Sequence, residues 1–172
     1  MRIAYTVAPG RGDTDLLLAG IAEELAGQGV RTVGTVQINT ACGDDGPCDM
    51  DVRVLPDGPV IRISQSLGTG SRGCRLDPGA LETAIGYCEA RLESSDLLIV
   101  NKFGKQEASG RGFRGLIGEA LARDIPVLVG LNRLNHSAFH EFTGNEAVEL
   151  APEPDALRAW LDGALGGDRS AA

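Results

Sequence analysis

The stretch that decides the fold is Arg2-Ile3-Ala4-Tyr5-Thr6-Val7-Ala8-Pro9-Gly10-Arg11-Gly12-Asp13-Thr14, together with the segment running on to Ile38. Arg2 to Ala8 is a short apolar run of strand character, and Pro9 to Gly12 breaks it. Thr14 to Gln28 then carries apolar residues at helical spacing. Leu16, Leu17, Ala19, Gly20, Ile21, Leu25 and Ala26 form one broad face, with Glu23, Glu24 and Gln28 opposite. Gly29 stands where a helix C-cap belongs, and Val30 to Ile38 reads as a second strand. Strand, glycine loop, helix and strand in succession open a parallel α/β sheet.

The same alternation continues along the chain. Val52 to Leu55 and Val60 to Ile63 flank Pro56-Asp57-Gly58-Pro59, a hairpin signal. Asp77-Pro78 suits an N-cap followed by proline at the first helical position, with a helix running to about Leu92. Leu97 to Val100 and Ile125 to Leu131 are apolar on both faces, as strands buried in a parallel sheet are. Helices are expected over Phe113 to Arg123, Ser137 to Phe142 and Asp155 to Leu165, and a brief strand over Ala147 to Leu150. The expectation is one three-layer α/β domain over residues 1–165, mainly parallel, with a hairpin insertion near residues 48–66. Residues 166–172 read as a flexible tail.

Composition narrows the function. In 172 residues there are 24 acidic side chains against 16 basic ones, a net charge of −8. Such a surface repels phosphate backbones and anionic lipid, which argues against nucleic-acid binding. Apolar stretches reach only about seven residues, far short of the roughly 20 that cross a bilayer, so membrane insertion is not expected. The N-terminus lacks the pattern of a signal peptide, and a cytoplasmic protein with thiol cysteines is the expectation. Only two of the cations are lysines, Lys102 and Lys105, and they fall within four positions of each other. Lysine scarcity with abundant arginine and glycine is what a GC-rich genome produces; the clustering is not.

A P-loop uses glycines to turn backbone N–H groups toward phosphates, a lysine for the β/γ oxygens and a Ser/Thr hydroxyl for magnesium. Val7-Ala8-Pro9-Gly10-Arg11-Gly12-Asp13-Thr14 has the right context, and Gly10, Gly12 and Thr14 fit. Val7 replaces the first glycine, and Asp13 replaces the lysine, where a carboxylate repels a triphosphate. Two readings stay open: a retained anion or nucleotide site that includes Arg11, or a tight turn in which Asp13 caps the helix.

Three segments together resemble a bacterial family described as domain of unknown function 2478, itself similar to P-loop nucleoside-triphosphatases. They are the first strand–helix–strand unit, Gly70-Ser71-Arg72-Gly73-Cys74-Arg75-Leu76-Asp77-Pro78, and Leu97 through Glu107, which ends in Asn101-Lys102-Phe103-Gly104-Lys105-Gln106-Glu107. The resemblance covers nearly the whole chain and implies a P-loop NTPase-like fold. It also implies a molybdate link, since members are often associated with molybdenum transport. In the resembling NTPases the last motif reads approximately Asp-Glu-Ile-Gly-Lys-Met-Glu; the Asp holds magnesium through water and the next Glu orients the attacking water. Here Asn101 and Lys102 occupy those two places, while Gly104, Lys105 and Glu107 match. The loop has lost a cation and the strand end has gained one, so an Asp13–Lys102 pair across one crevice is expected. Lys102 and Glu107 are the candidate catalytic groups.

Arg72, Arg75, Arg111 and Arg114 lie in glycine-rich loops, where guanidinium forks suit an oxyanion, although exposed arginines also pair with nearby acids. Cys42, Cys48 and Cys74 flank the hairpin without zinc spacing, Cys88 reads as core, and no metal site is expected. His136 and His140 share a helix face but lack a third ligand in the motif. Three functions compete: a degenerate P-loop-like binder of a nucleotide or small oxyanion, an active NTPase, and a non-catalytic regulatory or assembly protein. Ligand candidates are a nucleotide with Mg²⁺, or molybdate or tungstate; self-association is compatible with each.

Overall fold

The computed structural model describes residues 1–39, 49–65, 67–68 and 75–166. Its centre is a seven-stranded sheet: β1 (Ile3–Thr6), β2 (Thr32–Asn39), β3 (Met50–Val54), β4 (Val60–Arg62), β5 (Leu97–Phe103), β6 (Val127–Leu131) and β7 (Val148–Leu150). The spatial order is β4-β3-β2-β5-β6-β1-β7. Pairing is parallel from β2 through β7 and antiparallel between β2, β3 and β4. The hairpin read from Pro56-Asp57-Gly58-Pro59 is therefore present, and it extends the sheet at one edge, with Asp51 opposite Arg62.

Two apolar layers sandwich the sheet. Helix α1 (Asp13–Gly27) and α6 (Pro154–Gly166) cover one face through Leu18, Ile21, Ala22, Leu25, Leu157 and Leu161. Helices α2 (Pro78–Glu89), α4 (Arg114–Ala122) and α5 (His136–Thr143) cover the other, where Phe139 meets Tyr5 and Phe103 edge-on at ring-centroid distances of 5.2 and 5.1 Å. Both layers press on β5 and β6, which explains why those strands read as unbroken apolar runs. At α2, Asp77 accepts from the Ala80 N–H at 3.1 Å and Pro78 follows it, a cap worth about 1 kcal/mol. The three-layer, P-loop NTPase-like α/β architecture is the one expected. No helix among the described residues is long and apolar enough to cross a membrane.

Several local readings change. On α1 the inward residues are Asp15, Leu18, Ile21, Ala22 and Leu25, whereas Leu16 is 74% exposed. Strand β5 runs three residues past Val100, and a four-residue helix, α3 (Lys105–Ala108), follows it. Gly166, expected to open the tail, closes α6, and residues 167–172 lie outside the described residues. Cys88 is buried, and burial pushes its thiol up to about 12. Cys42, Cys48, Arg72 and Cys74 lie outside the described residues.

Gly34 of β2 stands opposite Ile99 of β5 and has φ +116°. A Cβ there would stand 1.8 Å from the Ile99 carbonyl oxygen. Gly34→Ala should lower the unfolding free energy by at least about 2 kcal/mol, combining positive-φ strain with a backbone clash. Urea denaturation checks this, and an unchanged midpoint would contradict it.

Candidate functional site

Strand β1 sits between β6 and β7, and the chain leaves it in one direction for β2 but leaves β6 in the other for β7. A crevice opens where such a sheet reverses its winding, outside the carboxyl ends of the strands. Here that edge holds a cavity of about 730 Å³. Arg11 and Gly12 enter it from the first loop, Asp15 from α1, Asn101 and Lys102 from β5, and Lys105 from α3. Arg75 closes the far side, beside a wall that includes Met50, Ile63, Leu81 and Phe113.

Lys102 does not pair with Asp13. Its ammonium lies 3.4 Å from Asp15 Oδ1, on a carboxylate that is only 3% exposed. Strands β1 and β5 are not neighbours, because β6 lies between them. Contact across β6 passes over Gly130, where a Cβ would meet Leu18 Cδ1 at 2.8 Å, Thr14 Cγ2 at 3.0 Å and Asn101 Oδ1 at 3.1 Å. The missing side chain lets the first turn of α1 settle against the end of β5. The Asn101–Lys102 peptide is cis.

Asp13 is instead the first residue of α1, after Gly12 as N-cap with φ 85°. It caps nothing with its side chain, and its carboxylate folds back over Gly10, where a Cβ would overlap it. A carboxylate in the first helical turn is favoured by the helix dipole. The Thr14 hydroxyl accepts from the Ala8 N–H at 3.0 Å and so closes the loop.

Glu107 is buried and holds two turns together. One oxygen accepts from the Gly104 N–H at 2.9 Å and the other from the Phe113 N–H at 3.0 Å. Gly112, at φ +58°, has to be glycine here, because a Cβ would stand 2.2 Å from Glu107 Oε1. Burial pushes the carboxyl above its ordinary value, and backbone hydrogen bonds only partly offset this.

A profile of the family described as "Protein of unknown function (DUF2478)" matches residues 3–160. The chain belongs to this family. It is 36% identical over 160 residues to "Molybdenum import ATP-binding protein ModC 2" of Bradyrhizobium diazoefficiens, a match covering 92% of this chain. The chain spans 18% of the length of that relative. Its fold is similar to the solution structure of a human cancer-related nucleoside triphosphatase, with a TM-score of 0.64, 18% identity and full coverage of both chains.

In this DUF2478 chain the expected site residues separate into two groups. Arg11, Gly12, Arg75, Asn101, Lys102, Lys105 and Glu107 line the cavity, while Gly10, Asp13, Thr14, Arg111 and Arg114 do not. The Arg114 guanidinium lies 4.6 Å from the centre of the Phe142 ring and donates to the Glu107 carbonyl. Arg75 reaches Asp49 at 3.4 Å. At the opposite edge of the sheet, a second cavity of about 550 Å³ also carries arginines. Those are already engaged: Arg31 by Asp96, Arg2 by the Asp124 carbonyl and Arg123 by Glu119.

The P-loop fold implies Mg²⁺, and the donors near Thr14 do not fit a protein-held ion. Asn101 is neutral, both its amide atoms are buried without a hydrogen-bond partner, and Asp15 already faces an ammonium. Among the described residues no three His, Cys, Asp or Glu side chains gather around one point. Sequence reasoning missed Asp15 and Gly130. The signal for Asp15 was its spacing of three and seven residues from Leu18 and Ala22, the buried face of α1.

Glu107 gives a stability signature. Its folded pKa is raised, so the folded chain holds a proton that the unfolded chain has released once pH exceeds the ordinary value of 4.5. Stability from this group is therefore fully present below 4.5 and falls as pH climbs through the raised folded value. Chemical denaturation from pH 4 to 8 should show wild type losing stability relative to Glu107→Gln as pH rises. A pH-independent difference would contradict the assignment.

Proposed function

We propose that this chain binds a nucleotide in the cavity at the carboxyl edge of the sheet, and that it does not hydrolyse it. The observation that carries the reading is the gathering of Arg11, Arg75, Lys102 and Lys105 around one cavity in a chain of net charge −8. Arg11 and Lys105 are exposed, and neither forms an ion pair among the described residues. Guanidinium and ammonium groups so placed would take phosphate oxygens directly.

Size separates the two ligand classes. A volume of about 730 Å³ falls within the roughly 300–1,000 Å³ of small-molecule sites and exceeds what a bare tetrahedral oxyanion fills. Met50, Ile63, Leu76, Leu81 and Phe113 offer an apolar wall for a base. The names of the bacterial relative and of the human structure, ATP-binding protein and nucleoside triphosphatase, support the same reading. Molybdate or tungstate is the smaller alternative, favoured by the relative's role in molybdenum import. The case against hydrolysis is chemical: Asn101 and Lys102 stand where the resembling motif has its carboxylates, and both Glu107 oxygens are engaged by backbone N–H groups.

Thermal denaturation and calorimetry with ATP, GTP, phosphate, sulfate, molybdate and tungstate test this. A nucleotide at 100 times its dissociation constant should add about 2.7 kcal/mol of stability. Arg11→Ala and Lys105→Ala should each weaken binding about tenfold, the loss of one charge-assisted hydrogen bond. No phosphate should be released; release abolished by Thr14→Ala would restore the NTPase reading. Stabilisation by molybdate alone would favour the oxyanion reading, and no stabilisation by any ligand would favour a regulatory or assembly role.

A further inference from the structure

On the far side of β1 from the loop chemistry, four polar groups from three elements converge. His136 and His140 project from successive turns of α5, Tyr5 from β1 and Glu149 from β7, where Tyr5 and Glu149 are direct cross-strand partners. The Tyr5 hydroxyl donates to Glu149 Oε2 at 3.0 Å. Its oxygen also lies 3.1 Å from His140 Nε2 and 3.3 Å from His136 Nε2, and the two Nε2 atoms are 3.2 Å apart.

These three donor atoms form a nearly equilateral triangle that hydrogen bonds cannot satisfy while the Tyr5 hydroxyl donates to Glu149. The Tyr5 proton is committed to Glu149, and each neutral imidazole Nε2 either carries one proton or offers one lone pair. If both imidazoles donate to the phenol oxygen, their own N–H groups oppose each other. If one donates to the other, the acceptor nitrogen faces the phenol oxygen lone pair to lone pair. With the Tyr5 proton on Glu149, at least one edge of the triangle is unfavourable.

A cation removes the conflict, and the edges, at 3.1, 3.2 and 3.3 Å, come close to the length that a cation requires. Around a tetrahedral ion with bonds of about 2.0–2.1 Å, neighbouring donors stand about 3.3–3.4 Å apart. The geometry points to a site for a first-row divalent cation of the zinc class, bound by His136 Nε2, His140 Nε2 and the Tyr5 oxygen. No three His, Cys, Asp or Glu residues make this site; the third donor is a phenol, and the carboxylate stands behind it. On binding, the metal–oxygen bond replaces the phenol O–H bond, and the proton passes to Glu149 and from there to water. Glu149 then has the outer-sphere role that carboxylates commonly play behind a ligand. His136 and Glu149 are exposed, so an ion can reach the site, while Tyr5 is only 1% exposed and keeps one ligand fixed. Without a cation, burial and Glu149 push the Tyr5 phenol up to about 12.

The untagged chain, stripped with chelator, can be titrated with Zn²⁺ and Co²⁺ by calorimetry while the ultraviolet difference spectrum of phenolate is followed. One ion per chain is expected, with a phenolate band that Tyr5→Phe abolishes; the other tyrosine of the chain, Tyr87, lies 47% exposed on α2. His136→Ala and His140→Ala should each weaken binding by more than the roughly 10–100-fold that loss of an outer-sphere partner costs, and Glu149→Gln by an amount within that range. Three results overturn the proposal: no ion bound, an ion retained by the His136→Ala/His140→Ala double variant, or an ion bound without a phenolate band.

Discussion

The crossing of β6 by its neighbours governs the site. Helix α1 and the end of β5 belong to elements separated by a strand, and they meet because residue 130 carries no side chain. Thr14, Leu18 and Asn101 all converge on the volume that a Cβ at Gly130 would take. That approach brings the Asp15 carboxylate within 3.4 Å of the Lys102 ammonium and fixes the lysine at the cavity wall. A side chain at 130 would displace the end of Leu18 and press on Thr14 and Asn101, where the first turns of α1 meet the end of β5.

The pair formed across that gap changes what the cleft can do. A lysine in the P-loop and a carboxylate at the strand end make a site for a metal-bound triphosphate; here the signs are exchanged and displaced. The carboxylate is on the helix, buried and matched, and the ammonium is on the strand, a third exposed and facing the cavity. Glu107, the acidic residue that survives from the resembling motif, is turned to architecture. It ties Gly104 to Phe113 and so fixes where α3 and α4 begin. Among the described residues the cleft carries cations at its rim, and the carboxylates that line it, Asp15 and Glu107, are both engaged. That combination supports the proposed binding without turnover.

Much of the fold was legible because it depends on local periodicity. Unbroken apolar runs marked β5 and β6, the Pro-Asp-Gly-Pro turn marked the hairpin, and Asp77-Pro78 marked the start of α2. Errors arose where a few neighbouring residues compete. The helix α1 pattern admits a face through Leu16 or one through Asp15 and Leu18; burial of a carboxylate decided for the second, because Lys102 waits for it across the sheet. No local signal carries that information. The same limit applies to the histidines: their shared face was visible from spacing of four, whereas Tyr5 and Glu149 arrive through strand pairing from more than a hundred residues away and from the next strand. Arg114 looked like an anion ligand by its loop, and its contact with Phe142 could be seen only in three dimensions.

The central claim is a location as much as an affinity. Backbone amide chemical shifts of the labelled chain, followed by NMR during titration with a non-hydrolysable ATP analogue, report that location residue by residue. The account predicts that Arg11, Gly12, Lys102, Gly104 and Lys105 shift together at the carboxyl edge, while Arg2, Arg31 and Arg123 at the opposite edge stay in place. Shifts confined to Arg2, Arg31 and Arg123, or no shifts at all, would contradict it.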